Sequence, residues 1–214
     1  MQKSSSPSSR TYDASGRQAE AQQRRRRVAA AAERLFLDQG YAATSIAEIA
    51  GQAGVSAQMV YAAFGGKAGI LARIVDTAAA GDEDDIVLRQ RPETVAALAI
   101  AEPRERLDAI ARLGAQVNAR VGRILEIVHS ASAADTSVGE LRDRIEANIR
   151  SDTLAVARAV LSDVRTDLTV EEVADVLRTL GGHRTWQALV VEGGWSQQRY
   201  ADWLDDALTR LLLP

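Results

Sequence analysis

Apolar residues in this chain recur three and four positions apart and hardly ever alternate, so the pattern predicts an all-α protein. The first clear stripe is Val28, Ala31, Ala32, Leu35 and Phe36, one face of a helix that ends near Gly40. The stretch from Thr44 to Lys67, TSIAEIAGQAGVSAQMVYAAFGGK, then spells out two short helices and the turn between them. Ser45 with Glu48 three residues on has the pattern of a capping box, which marks a helix start, and Ile46, Ile49, Ala50 and Ala53 fall on one face of that helix. Gly54 suits the left-handed residue that ends a helix, Val55 can plug the core behind the turn, and Ser56 can cap the next helix. In that second helix Val60 and Phe64 point inward, and Gly65-Gly66 stops it. Helix, short Gly-containing turn and helix form the helix-turn-helix arrangement, whose second helix lies in the DNA major groove with its N-terminal residues at the base edges.

A further helix from Lys67 to about Ala80, with Ile70, Leu71, Ile74 and Val75 inside, is expected to link this unit to the rest. The acidic stretch Gly81-Asp82-Glu83-Asp84-Asp85 lacks the Gly-spaced Ca²⁺-loop pattern and reads as a solvated loop. Beyond Pro92 the pattern predicts helices over Glu93 to Ala101, Pro103 to Val121, Gly122 to Ala133, Val138 to Val164, Val170 to Val191 and Gln197 to Leu213, a helical bundle. The last two carry Leu177, Leu180, Leu189, Val190, Tyr200, Trp203, Leu204, Leu208, Leu211 and Leu212, more apolar surface than two helices can bury between them while also facing water. They are expected to form half of an intermolecular four-helix bundle. Small residues (Ala109, Ala111, Gly114, Ala115, Ala119, Gly122) can leave space between the middle helices, and Asn118, Arg123, His129, His183 and Trp186 are the polar candidates for a ligand in that space.

Charge changes the picture only once it is divided. The net formal charge of −3 hides 10 Lys and Arg against 5 Asp and Glu up to Val75, net +5, and net −8 beyond it. A basic N-terminal third can engage phosphates, while an acidic remainder limits indiscriminate sticking. Residues 1–23 form a polar, Ser-rich tail without apolar periodicity, expected to be disordered. Arg24-Arg25-Arg26-Arg27 follow, and because cations at a helix start oppose its dipole, they are expected to act as an arm that contacts phosphates or enters the minor groove. Gln58 can pair bidentately with adenine, and Ala57 and Met59 can touch a thymine methyl. The candidate DNA contacts are thus Arg24, Arg25, Arg26, Arg27, Thr44, Ser45, Ser56, Ala57, Gln58, Met59, Tyr61 and Lys67. With no Cys and two His, disulfides, thiolate sites and a structural zinc site are not expected, nor is any cofactor. No phosphate loop, nucleophile elbow or zinc-protease motif is present, so an enzyme is not expected. The lack of a membrane-length apolar run and of a secretion signal points to the cytoplasm.

The run Gly40-Tyr41-Ala42-Ala43-Thr44-Ser45-Ile46-Ala47-Glu48-Ile49-Ala50, with Ala53-Gly54-Val55-Ser56, Val60-Tyr61, Phe64 and Lys67, resembles the N-terminal domain of the TetR/AcrR family of bacterial repressors, from about Val28 to Ile74. The resemblance implies a helix-turn-helix DNA-binding domain over residues 24–75 and a helical ligand-binding and dimerisation domain over 76–214. It also implies a homodimer that binds a palindromic operator on double-stranded DNA and leaves it when a small-molecule effector is bound. It places Tyr61 at a backbone contact, whereas Ala63 stands where the family usually carries an aromatic or His, so that contact should be missing here. The rival expectation is an architectural DNA-binding dimer that ignores small molecules.

Overall fold

The computed structural model describes residues 10–81, 88–160, 162 and 167–214, and among them every regular element is helical. The first nine residues of the expected tail and the acidic stretch Asp82–Asp85 lie outside the described residues. The chain divides into two compact units, residues 1–73 and 74–214.

In the first unit, α1 (Arg10–Gln39) packs against α2 (Ile46–Ala53), which is followed by α3 (Ala57–Phe64) and the start of α4 (Lys67–Ala80), whose residues from Ile74 on belong to the second unit. Val28, Ala31, Ala32 and Phe36 of α1, Ile49 and Ala50 of α2, Val60 of α3 and Ile70 and Leu71 of α4 are buried as the periodicity predicts. Each such large side chain contributes about 1.5–3 kcal/mol. The start of α1 departs from expectation. The helix begins at Arg10, so residues 10–23 are helical and Arg24 to Arg27 stand within a helix, not on a flexible arm. The physical reason is propagation: once the buried stripe from Val28 fixes the helix, each further residue adds a hydrogen bond, and Ala19-Glu20-Ala21-Gln22-Gln23 is rich in strong helix formers. A Glu20–Arg24 ion pair at 3.6 Å lies along the same side.

The second unit is a bundle. After a 3₁₀ turn (Leu88–Gln90) come α5 (Pro92–Leu98), α6 (Pro103–Ala131), α7 (Thr136–Val160) and α8 (Val170–Leu180). A short α9 (His183–Trp186) continues as a π turn (Gln187–Glu192), and α10 (Gln197–Leu212) closes the chain. α6 packs on α10 and α7 on α8. Two boundaries differ from the sequence reading. Gly122 does not divide α6, because it sits buried beneath Trp186 instead of at a turn. The helix expected to run from Val170 to Val191 breaks at Gly181-Gly182, where the Asn118 amide Nδ2 donates to the Gly181 carbonyl at 2.8 Å in place of a helical partner. Asp135, read as part of a break, caps α7 by accepting from the Ser137 and Val138 amides.

Candidate nucleic-acid interface and effector cavity

The turn between α2 and α3 is built residue by residue. The Ser45 hydroxyl accepts from the Glu48 amide at 3.2 Å, while the Glu48 carboxylate accepts from the Ser45 amide at 2.8 Å. The Ser45 hydroxyl, with its amide next, holds the Glu48 carboxyl below the usual carboxylate range. Gly54 adopts the left-handed conformation at φ 66°, which frees the Val55 amide to donate back to the Ala50 carbonyl at 3.0 Å. Ser56 then caps α3 by accepting from the Met59 amide at 3.2 Å.

These constraints decide which side chains face outward. Val60 is fully buried, which turns Gln58, Tyr61 and Ala62 to solvent on the opposite side of α3, with Ala57 and Met59 half-buried at its flanks. Tyr61 is 56% exposed, so its ring is free of the core. The exposed Ala62 extends this face and carried no signal of its own in the sequence. Ala63 is half-buried, and its methyl adds no polar group to the face. Ser45 and Ser56 are exposed but their hydroxyls already serve as caps.

Thr44 corrects the expectation of a phosphate contact. It is 2% exposed, and its hydroxyl donates to the Gly40 carbonyl at 2.8 Å, bracing the α1–α2 turn from inside. Lys67 is also partly committed: its ammonium donates to the Tyr41 carbonyl at 2.8 Å and lies 4.4 Å from the Tyr41 ring centre, leaving two of three N–H groups for another acceptor. Of the four arginines, Arg24 is half-buried beside Glu20, whereas Arg25, Arg26 and Arg27 are exposed on successive sides of α1.

A half-open cavity of about 190 Å³ lies in the second unit, lined by residues of α5, α6, α7, α8 and α10 and by Arg89 of the 3₁₀ turn. Ile110, Ala111, Leu113, Gly114 and Val117 of α6, Val156 of α7 and Leu204 and Leu208 of α10 form much of its wall, and Arg89, Thr94, Asp152 and Thr153 supply its polar side chains. Ala111 and Gly114 leave room as their size suggested.

None of the five residues expected to bind ligand lines this cavity. Asn118 is buried and holds α6 to the end of α8. Arg123 is exposed. Trp186 is core, its indole donating to the Gln197 side chain at 2.9 Å. His129 and His183 stack on each other, ring centres 4.8 Å apart and 10° from parallel. Burial above all, then His129 and Arg184, pushes His183 down to about 4, and burial, then Arg184 against the opposing pull of Glu146 and Glu126, lowers His129. Sequence spacing could not locate the cavity, because Thr94, Arg89 and Asp152 meet there from three separate elements.

The residues expected at the dimer face also divide. Leu177, Tyr200, Leu204, Leu208 and Leu212 are buried inside the protomer, and Leu177, Leu204 and Leu208 line the cavity, because α6 packs over the inner side of α10. Leu180, Leu189, Val190 and Trp203 are half-buried and Leu211 is 48% exposed, as is Val191 at 41%. Among the described residues, no group of three or more His, Cys, Asp or Glu could hold a metal ion, and no helix is long and apolar enough to cross a membrane.

The family profile described as bacterial regulatory proteins, tetR family, matches residues 28–74. No curated protein matches the chain. Solved structures do share its fold. NalD, the secondary repressor of the MexAB-OprM multidrug efflux pump in Pseudomonas aeruginosa, is 20% identical with a TM-score of 0.70, over 91% of this chain and 98% of that one. A protein from Saccharomonospora viridis, solved in complex with choline, is 21% identical with a TM-score of 0.64, over 89% and 97%. A protein from Syntrophomonas wolfei assigned to the TetR family is 16% identical with a TM-score of 0.69, over 88% and 94%. Residues 28–74 thus match the tetR family of bacterial regulatory proteins, and along most of its length the chain has the helical fold of these solved structures.

Proposed function

We propose that the chain is a homodimeric repressor that binds a palindromic operator through α3 and is released when a small molecule enters the cavity of the second unit. The observation that supports this reading is the cavity itself: a DNA-binding architectural dimer would have no use for an apolar pocket of this size between its helices. Gln58 and Tyr61 are the first residues to meet DNA, Gln58 at base edges and Tyr61 at the backbone. Arg25 and Arg27 supply phosphate contacts from the helical extension of α1. The pairing face consists of Leu180, Leu189, Val190, Val191, Trp203 and Leu211, with the two reading heads about 34–36 Å apart on one face of the duplex.

Coupling between ligand and operator is assigned to α4. Its last carbonyls, Ala78 and Ala79, accept from the Arg120 guanidinium at 3.1 and 3.2 Å, and Arg120 stands one turn beyond Val117, a wall residue of the cavity. A ligand that displaces α6 therefore pulls the end of α4. Arg120→Ala should leave effector binding intact but shrink the ratio of operator affinities between free and effector-saturated protein by about fivefold or more, as titrations in the two states would show. An unchanged ratio would remove Arg120 from the path.

The direct test of function is to capture fragments of the source genome on the purified protein at near-physiological salt and sequence what stays bound. A shared inverted repeat supports the repressor reading, whereas diffuse, salt-steep recovery favours the architectural dimer. On a recovered site, Gln58→Ala should relax preference at one position per half-site by about 1–3 kcal/mol, whereas Lys67→Ala should weaken all sequences alike and flatten the salt slope by about 1. Equal sequence preference in wild type and Gln58→Ala would show that another residue reads the bases.

A further inference from the structure

We infer that the cavity takes an uncharged, largely apolar molecule carrying a single hydroxyl or carbonyl group, and that Thr94 is the residue that recognises this group; the inference rests on the effector reading of the cavity proposed above. Size comes first. A space of 190 Å³ is somewhat larger than the ~150 Å³ apolar cavity known to accept benzene, which sets the guest at about eight to ten non-hydrogen atoms. The walls come from aliphatic side chains, so most of the guest must be hydrocarbon.

The polar groups of the lining then fix its chemistry. The Thr153 hydroxyl is used within α7, donating to the Ile149 carbonyl at 2.9 Å. Arg89 and Asp152 satisfy each other, a guanidinium nitrogen lying 3.0 Å from a carboxylate oxygen. The Thr94 side-chain oxygen is different: Thr94 is 5% exposed, lines the cavity, and its hydroxyl has no hydrogen-bond partner. Buried hydroxyls are nearly always paired, and an unpaired one within a cavity wall is one side-chain rotation from a guest that could complete it. A ligand oxygen would do so, accepting from or donating to the hydroxyl. A charged headgroup buried among these aliphatic walls is disfavoured, because Arg89 and Asp152 pair with each other at the partly exposed edge of the lining and leave it no counter-charge inside.

The test uses three eight-carbon probes of matched size, namely 1-octanol, octanoate and octylammonium, titrated calorimetrically into the whole chain. Octanol should bind at least about tenfold more tightly than either ion, because neither ion finds an unpaired counter-charge among the aliphatic walls. Thr94→Val, which keeps the shape and removes the hydroxyl, should weaken octanol about fivefold, the value of one net hydrogen bond, while leaving the thermal midpoint of the ligand-free protein unchanged or higher. A hydroxyl with a structural partner would lower that midpoint. Gly114→Leu supplies the control: Gly114 lines the cavity and no heavy atom lies within 4 Å of where its Cβ would stand, so the new side chain has a free starting point from which to fill the space and should abolish octanol binding.

Octanol preference that is lost in Gly114→Leu and reduced in Thr94→Val supports the inference. Equal or tighter binding of either ion, still lost in Gly114→Leu, overturns the uncharged ligand class and leaves the cavity reading standing. Unchanged octanol affinity in Thr94→Val removes Thr94 from recognition. Binding of none of the probes, or binding that survives in Gly114→Leu, overturns the inference together with the effector reading on which it rests.

Discussion

Gly69→Ala should destabilise the protein by about 3 kcal/mol and reduce operator binding, although helix propensity alone favours the change by about 1 kcal/mol. Gly69 lies in the first turn of α4, and a Cβ there would overlap the carbonyl oxygen of Phe64, the last residue of α3. Because the obstacle is backbone, no side-chain rotation relieves it. The end of α3 must move away from α4, and with it the face that carries Gln58 and Tyr61. For a protein of this length the loss corresponds to a fall of about 6–12 °C in thermal midpoint. Gly51→Ala is the matched control, since it lies in α2 with nothing within 4 Å of its Cβ position, and there propensity should win. If both variants melt alike, the close approach of α3 and α4 does not carry the stability assigned to it.

Gly122→Ala should cost about 2–3 kcal/mol for a related reason in the second unit. Its Cβ would stand 2.6 and 2.7 Å from two ring carbons of Trp186. A side chain can often swing aside, but this one is held: its indole nitrogen is bonded to Gln197, and the Gln197 amide donates in turn to the Ala115 carbonyl on α6. Moving the ring therefore breaks a chain of bonds that runs back to the helix carrying Gly122. The contrast with Gly114 is informative, because both glycines lie on α6 and only one faces a ring. Denaturant unfolding of Gly122→Ala, Trp186→Leu and the double variant should give a coupling of about 1 kcal/mol or more, as expected for residues in contact. Strict additivity would mean that Gly122 is not there to admit the ring.

The helix-turn-helix was legible because its information is local. Ser45, Glu48, Gly54 and Ser56 act on backbone groups within three or four residues of themselves, so their pattern in the sequence is their pattern in space. The same locality explains the failures nearby. Thr44 stands one residue from a cap and looks like one, but its hydroxyl turns back to Gly40 once Tyr41 packs on Phe36. The arginines look like an arm as long as the residues before them are judged alone, and become part of a helix once that helix is fixed from Val28 onward.

The second unit was legible as a bundle and not as a site. Periodicity assigns each residue to a helix face, but whether that face meets a neighbour, a void or solvent depends on how five helices pack. Leu204 and Leu208 share their stripe with residues expected to meet a second protomer, yet α6 covers them and they wall the cavity. Asn118 and Trp186 looked like ligand contacts because polar and aromatic groups on an inner face suggest a guest, whereas each has a partner in its own chain. By itself the sequence determined the helices, most of the turns, the outward face of α3 and the basic character of the DNA-binding third, because these follow from the order of neighbouring residues. Only the tertiary structure decided where empty space remains and which polar group in it lacks a partner, since both depend on atoms that come together from α5, α6, α7, α8 and α10.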